Sequence, residues 1–224
     1  MVNITELTPP TYPVPVDEVG ESLIQRVAAS VVCFTRNRYL KGAESSGSGS
    51  IIDNEGTVLT ADHVYEQWLQ DVRQDFAVGL LLDGQKIQCP VFTEVHRNPQ
   101  DDWAILQFES LVGRDPLAFV TQEKEQPGQR QYVVGFPYSL PDVFPHALTC
   151  AVSPGELLEK QHPVPGLRKH QAISARVWSG FSGSPVIDIE GRQRAIVLAC
   201  SLSFTNTDYA WVLSISAMEG ISSR

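Results

Sequence analysis

Trp178-Ser179-Gly180-Phe181-Ser182-Gly183-Ser184-Pro185-Val186 sets a serine between glycines, then passes a proline into the apolar segment Val186-Ile187-Asp188-Ile189. Glycine tolerates backbone angles that a β-carbon forbids. The stretch reads as a tight bend that presents the Ser182 hydroxyl and can turn backbone N–H groups toward one point, as an oxyanion hole requires. A plain Ser/Gly turn between two strands is the other reading of the same residues. The rest of the chain has to decide between them.

Working outward, two upstream positions supply what a serine lacks. His63 ends the run Gly56-Thr57-Val58-Leu59-Thr60-Ala61-Asp62, where an apolar strand stops and a helical turn begins. A side chain there is held by rigid structure yet can face a cleft; a half-buried structural imidazole is the alternative. Asp102 directly precedes the apolar Trp103-Ala104-Ile105-Leu106. A carboxylate at the mouth of such a strand is partly desolvated and needs a partner, and a histidine N–H is a suitable one. Asp101 has nearly the same setting, with turn capping as its plain role. His96, His146, His162 and His170 lie among Pro, Lys, Arg and Asn and read as surface-loop residues.

A serine hydroxyl is a weak nucleophile without a neighbouring base, and the base must be kept in one tautomer by an acid. Ser182, His63 and Asp102 could fill these roles. Their order, His…Asp…Ser, differs from the Ser…Asp…His order and strand–elbow–helix context of lipases and esterases.

The intervening segments are short, apolar and separated by turn residues. Residues 1–16 are rich in Pro and Thr and read as an extended arm. Val19, Leu23 and Val27 predict an amphipathic helix over 17–28, with Asp17 as its cap. Strands are expected at 30–34, 49–53, 57–60, 76–82, 86–95 and 103–108, with hairpin turns at Asp53-Asn54-Glu55-Gly56 and Asp83-Gly84. One helical turn is expected at 62–69. Residues 110–129 read as a linker. A second set follows at 132–136, 147–152, 172–178, 185–189, 194–201 and 209–215. About six strands per half at hairpin spacing predict an all-β chain of two antiparallel six-stranded β-barrels. The boundaries expected are about 30–109 for the first barrel and about 130–218 for the second, within a domain over 17–224. Met218 to Ile221 could begin a helix that the chain cuts short, so a fragment of a longer protein is expected.

Length and charge bound the possibilities. The 224 residues can bury a sizeable core. A net charge of −9 and a pI near 5.0 argue against nucleic acid or an anionic membrane as partner. No apolar run approaches a transmembrane span, and the first residues lack a signal-peptide pattern. Cys33, Cys89, Cys150 and Cys200 are widely spaced, which favours reduced, buried thiols and a cytoplasmic location. No metal-ligand spacing occurs, and no cofactor is expected.

These segments carry a resemblance. Leu59-Thr60-Ala61-Asp62-His63-Val64 is similar to the Thr-Ala-X-His segment around the base of trypsin-like peptidases. Asp102-Trp103-Ala104-Ile105-Leu106 resembles the strand that holds their acid, and Gly180-Phe181-Ser182-Gly183-Ser184-Pro185 their nucleophile segment. Val133-Val134-Gly135-Phe136-Pro137 matches a Gly-aromatic-Pro strand end of the bacterial branch. The resemblance covers roughly residues 30–218. It is nearest to the bacterial housekeeping and glutamyl-endopeptidase-like group, without a following PDZ domain.

The resemblance implies a double β-barrel with its site in the cleft between barrels, and a serine endopeptidase acting on protein or peptide substrates. Carried over residue by residue, it makes His63, Asp102 and Ser182 the triad and the Gly180 and Ser182 N–H groups the oxyanion hole. It places the substrate-binding rim near Arg176, Ser179, Ala199, Ser201 and Tyr209. There Arg176 could favour an acidic side chain and Asp208 a basic one, or both could be solvated rim charges. The chain departs from the animal pattern at Val64, where a disulfide-forming Cys is common, and at Asp62, whose charge could favour the His63 imidazolium or point to water. No Ile-Val activation terminus is recognisable. The polar strip from Glu159 to His170 reads as a solvated loop, with substrate gating or partner docking as its functional alternative. A regulated intracellular bacterial protease, or the protease domain of a larger protein with a regulatory partner, is the expectation. A protease-shaped binding or signalling module with a resting triad is its rival.

Overall fold

Turn chemistry and alternation place the elements. Asp53 Oδ1 accepts the backbone N–H groups of Glu55 and Thr57 at 2.9 and 3.1 Å, and Gly56 takes φ 79°. The chain therefore reverses, and Ile51 faces Val58 across the hairpin. The computed structural model describes residues 18–36, 44–73, 78–82, 85–88, 90–120, 126–137, 150–158, 170–177, 179–201, 209–218 and 221. The N-terminal arm, Cys89, His146, His162, Trp178, Asp208 and the strip 159–169 lie outside them.

Helix α1 (Glu18–Val27) leads through a 3-10 turn to β1 (Val31–Arg36), β2 (Glu44–Ile51), β3 (Thr57–Thr60) and helix α2 (Asp62–Arg73). Then come β4 (Gly79–Leu82), β5 (Gln85–Gln88), β6 (Phe92–Asn98) and β7 (Trp103–Phe108). The second half holds β8 (Arg130–Gly135), β9 (Ala151–Glu156), β10 (His170–Ile173), β11 (Pro185–Ile187), β12 (Gln193–Ser201) and β13 (Tyr209–Ser214). The strands form two antiparallel sheets, ordered β5-β4-β1-β2-β3-β7-β6 and β10-β13-β12-β11-β8-β9. The all-β fold of two antiparallel halves expected from the spacing is observed, but the first sheet has seven strands where six were expected, and the second has the expected six. The second sheet closes on itself through a bridge between Leu157 and Ile173, flanked by Leu158 N–H to Ala172 O at 2.8 Å and Ser174 N–H to Glu156 O at 2.9 Å.

Several boundaries differ, each for a physical reason. The segment read as one strand over 86–95 is divided into β5 and β6, and Pro90 between them has no N–H for the ladder. Strand β2 begins at Glu44 rather than Gly49, because its pairing with β1 holds a Ser/Gly run that carries no apolar signal. Helix α2 continues to Arg73, past the stripe of Val64, Tyr65 and Trp68, and its buried Asp71 meets Arg36 at 3.3 Å. Strand β10 takes in His170 and ends at Ile173, and His96 sits on β6, its ring centroid 4.8 Å from that of Trp103. Neither histidine is a loop residue. A 3-10 turn at Ile215–Ala217 follows the last strand, and of the helix expected over 218–221, residues 219 and 220 lie outside the described residues.

One buried cluster runs from α2 and the first sheet to Ile196, Leu198, Leu213 and Met218 of the second half. Within it Trp68 meets Phe34, Phe92 and Phe108 edge-on. A second cluster holds Leu23 and Val27 of α1 against Val134, Val152 and Ile187. The third, inside the second sheet, buries Phe181 beside Val133, Val186 and Val212. The serine loop is thus anchored by an aromatic side chain one residue before Ser182.

Candidate active site

Asp102 is reached by a tight turn. Asn98 Oδ1 accepts the N–H groups of Gln100 and Asp101 at 3.2 and 3.1 Å, and Asn98 Nδ2 donates to Asp101 Oδ2 at 3.0 Å. The chain then passes Asp102 at φ 59°, a left-handed conformation that Asp tolerates better than most residues. Its carboxylate reaches the start of α2. Oδ1 accepts the His63 backbone N–H at 2.9 Å, and Oδ2 lies 2.8 Å from His63 Nδ1. The first N–H groups of a helix lack intrahelical partners and favour negative charge. One carboxylate therefore caps α2 and orients the imidazole. With Oδ2 as acceptor, the proton of a neutral imidazole sits on Nδ1 and leaves Nε2 its lone pair. The pairing of Thr60 with Ala104 between β3 and β7 brings the two residues together. The His63 side chain stays 48% exposed and that of Asp102 29%.

Asp62, buried beside His63, points neither to water nor at the imidazole. The Arg97 guanidinium takes it in a fork, Nε to Oδ1 and Nη2 to Oδ2, and Nη2 also reaches Glu66 Oε2 at 2.6 Å. Arg97 Cζ lies 5.2 Å from the Tyr65 ring centroid. The same guanidinium holds the Glu66 carboxyl below its ordinary range. Burial, with Glu94 adding to it, pushes the Tyr65 hydroxyl up to about 12. Helix α2 is thereby fastened to β6 immediately beside the histidine.

Ser182 lies in a turn closed by Ser184 N–H to Phe181 O at 2.9 Å, with Gly180 at φ 94° and Gly183 at φ 80°. Gly183 N–H donates to Val197 O at 2.7 Å, and a β-carbon on Gly183 would collide with Ser48 O and Thr60 Oγ1. The Ser182 hydroxyl donates to Leu198 O at 3.4 Å, a long contact. Among the described residues it makes no hydrogen bond to His63. Ser184 is fully buried.

Of the residues expected at the substrate rim, Arg176, Ser179 and Ala199 are exposed. Tyr209 is half-buried with its ring edge-on to Trp211, centroids 5.4 Å apart. Ser201 pairs with Tyr209 at the end of β12. His170 stands half-buried on β10. Burial holds its pKa below the ordinary histidine value, against the pull of the Asp101 backbone, then Asp101 and Asp102. That backbone is near enough to favour the imidazolium without meeting hydrogen-bond geometry, and both ring nitrogens are buried with no hydrogen-bond partner among the described residues. Among the described residues no group of His, Cys, Asp and Glu could hold a metal ion, and no helix is long and apolar enough to cross a membrane.

Residues 47–196 match the family model of the trypsin-like peptidase domain. The chain belongs to that family. The match takes in β2 from Gly47 onward, His63, Asp102 and the serine loop. Putative protease Do-like 14 of Arabidopsis thaliana is 26% identical over 155 residues, covering 66% of this chain and 34% of that relative, so the chain spans about a third of its length. In fold, this peptidase domain is similar to Rv3671c from M. tuberculosis H37Rv in an inactive form. The TM-score is 0.63 at 22% identity, over 92% of this chain and 90% of that one. It is also similar to Deg5, with a TM-score of 0.64 at 21% identity over 91% of each chain.

Four residues of the site region escaped the sequence reading. Arg97 looks like any cation on an edge strand, and nothing local ties it to Asp62. His170 is set among polar neighbours that mask its strand. Thr60 was read only as part of the base segment, but its hydroxyl donates to Ser48 O at 2.7 Å. Ser48 had a signal, the alternation Ser46-Gly47-Ser48-Gly49-Ser50. That alternation puts hydroxyls on one strand face and bare backbone on the other.

Proposed function

We propose that this peptidase domain is a serine endopeptidase in which Ser182 is the nucleophile, His63 the general base and Asp102 the acid that orients it. The observation that carries the reading is the pair of hydrogen bonds from His63 to Asp102, which leaves Nε2 as the acceptor for a serine proton. Ser182 Oγ gives its proton to Nε2 as it attacks the peptide carbonyl. The tetrahedral oxyanion is taken by the Gly180 and Ser182 N–H groups. The imidazolium, stabilised by Asp102, then protonates the leaving amine, and water hydrolyses the acyl-enzyme by the same route reversed. The hydroxyl has to leave Leu198 O first, a rotation about one side-chain bond that a 3.4 Å contact hardly opposes.

The substrate is a protein or peptide whose side chain before the cut meets the rim of Arg176, Ser179, Ala199, Ser201 and Tyr209. The domain spans 17–224 after an arm at 1–16, with a linker over 110–129 between barrels. We place it in a bacterial cytoplasm, as a regulated protease or the protease part of a larger protein. In support, Cys33 is buried and burial, with Cys33 adding to it, pushes the Cys150 thiol up to about 12, a protonated and unreactive state. The second reading is a binding or signalling module with a resting triad, and the Ser182–Leu198 contact favours it.

Covalent labelling of Ser182 by a fluorophosphonate, read by mass spectrometry, separates the two readings. Profiling a diverse peptide library with Ser182→Ala as control tests the first directly. The substitution is expected to lower hydrolysis by about four to six orders of magnitude. Residual activity within about tenfold of wild type would overturn the assignment.

A further inference from the structure

Ser48, a residue of the first sheet, makes four hydrogen bonds, two of them to the serine loop of the second. Its N–H donates to Ser182 O at 2.8 Å, and its carbonyl accepts the Thr60 hydroxyl at 2.7 Å. Its hydroxyl donates to Gly180 O at 2.9 Å and accepts the Phe136 N–H at 2.9 Å. The side chain is fully buried. Because the Phe136 N–H occupies Oγ as a donor, the hydroxyl proton is left pointing at Gly180 O, and the two bonds polarise one another.

The position of that bond matters. A peptide unit is planar, so fixing a carbonyl fixes the N–H that follows it. Between Gly180 and Ser182 there are two such units. Ser184 N–H holds the second by its Phe181 carbonyl, and this aims the Ser182 N–H. Ser48 Oγ holds the first by its Gly180 carbonyl. The first unit joins Gly180, whose N–H is one proposed oxyanion donor, to the unit that carries the other. At φ 94° Gly180 has no β-carbon to resist rotation, so the residue that permits the bend also permits its reversal. Phe181 anchors the loop by its ring, but a ring in the core does not decide which way the neighbouring peptide faces.

We infer that Ser48 is a positioning residue for the oxyanion hole: its hydroxyl latches the Gly180 carbonyl and so fixes the peptide unit that sets the Ser182 N–H relative to the Gly180 N–H. This rests on the proposed endopeptidase reading and adds to it a contact from the opposite sheet. Through Phe136, the latch also joins the end of β8 to the loop, so one hydroxyl ties three segments of the site.

The test compares a peptide aldehyde, which forms a hemiacetal oxyanion on Ser182, with the peptide alcohol of the same sequence, which cannot. In the wild-type protein the aldehyde binds far more tightly. In Ser48→Ala that advantage is expected to shrink by about 10- to 100-fold, with kcat lowered by a similar factor and KM and alcohol affinity unchanged. A role in stability alone would lower the melting temperature and leave the aldehyde-to-alcohol ratio intact, which overturns the inference. If Ser48→Ala does not fold, Ser48→Gly, which also removes the hydroxyl, supplies the same ratio, and a wild-type value there overturns it equally. A wild-type protein with no aldehyde advantage and no fluorophosphonate adduct sinks the endopeptidase reading itself. A wild type with both, beside a Ser48→Ala of unchanged ratio, sinks only the latch.

Discussion

His63 and Asp102 are joined by hydrogen bonds of 2.9 and 2.8 Å, whereas among the described residues the Ser182 hydroxyl makes one hydrogen bond, of 3.4 Å, to the Leu198 carbonyl. Around Ser182 it is the backbone that is held: its carbonyl by Ser48 N–H, the Phe181 carbonyl by Ser184 N–H and the Gly180 carbonyl by the Ser48 hydroxyl. On the first-sheet side of the site a side chain is held, and on the second-sheet side peptide dipoles are held, two of them by Ser48 of the first sheet. That division suits acyl transfer. An imidazole must keep one tautomer and an oxyanion hole must be preorganised, but a nucleophilic hydroxyl has to turn from base to substrate.

The comparison breaks most sharply at Asp102. Asp102→Asn would donate from its amide where the carboxylate accepts, forcing the wrong tautomer on His63. A kcat loss of about 10⁴ is expected in hydrolysis of a fluorogenic peptide near neutral pH. A loss of less than tenfold would mean that the acid–base pair is not the organised half of the site.

A smaller effect is expected at Arg97. Arg97→Met leaves the Asp62 carboxylate, 9% exposed, without the fork that binds it. Urea unfolding should show a loss of about 1.5–3 kcal/mol, the range for hydrogen bonds to charged groups. Arg97→Lys should recover part of it as a point charge without the fork. Unchanged stability in Arg97→Met would show that the start of α2 is held by Asp102 alone.

The smallest effect belongs to His170. Burial depresses its pKa in the folded state, so the unfolded chain takes up the proton first as pH falls. Its contribution to stability is present above the ordinary histidine value of about 6.5 and is lost as pH drops through the lower folded value. Melting temperatures at about pH 7.5 and about pH 5.5 should differ less in His170→Gln than in wild type. An equal difference would remove His170 from the acid-sensitive groups around Asp101 and Asp102.

Much of this was legible along the chain because it depends on near neighbours. The Asp53–Gly56 turn is closed by its own side chain, β3 and β7 have the bounds their apolar residues set, and Gly180 and Gly183 are glycines at positive φ. Candidate acid, base and nucleophile could be picked out because each sits at the end of an apolar strand or in a glycine bend. Strand β2 was read short because pairing with β1, not burial of its own apolar side chains, makes it a strand.

The sequence by itself determined the two-sheet class, the turns and the residue types available for chemistry, since backbone preference and hydrophobic period act over a few residues. Only the tertiary structure decided which groups face one another. It put Arg97 on Asp62 and turned Asp102 back onto the helix that begins beside His63. It also brought Ser48 across to Gly180, 132 residues away. Such contacts depend on how two sheets meet, and the residues that make them carry no local mark of it.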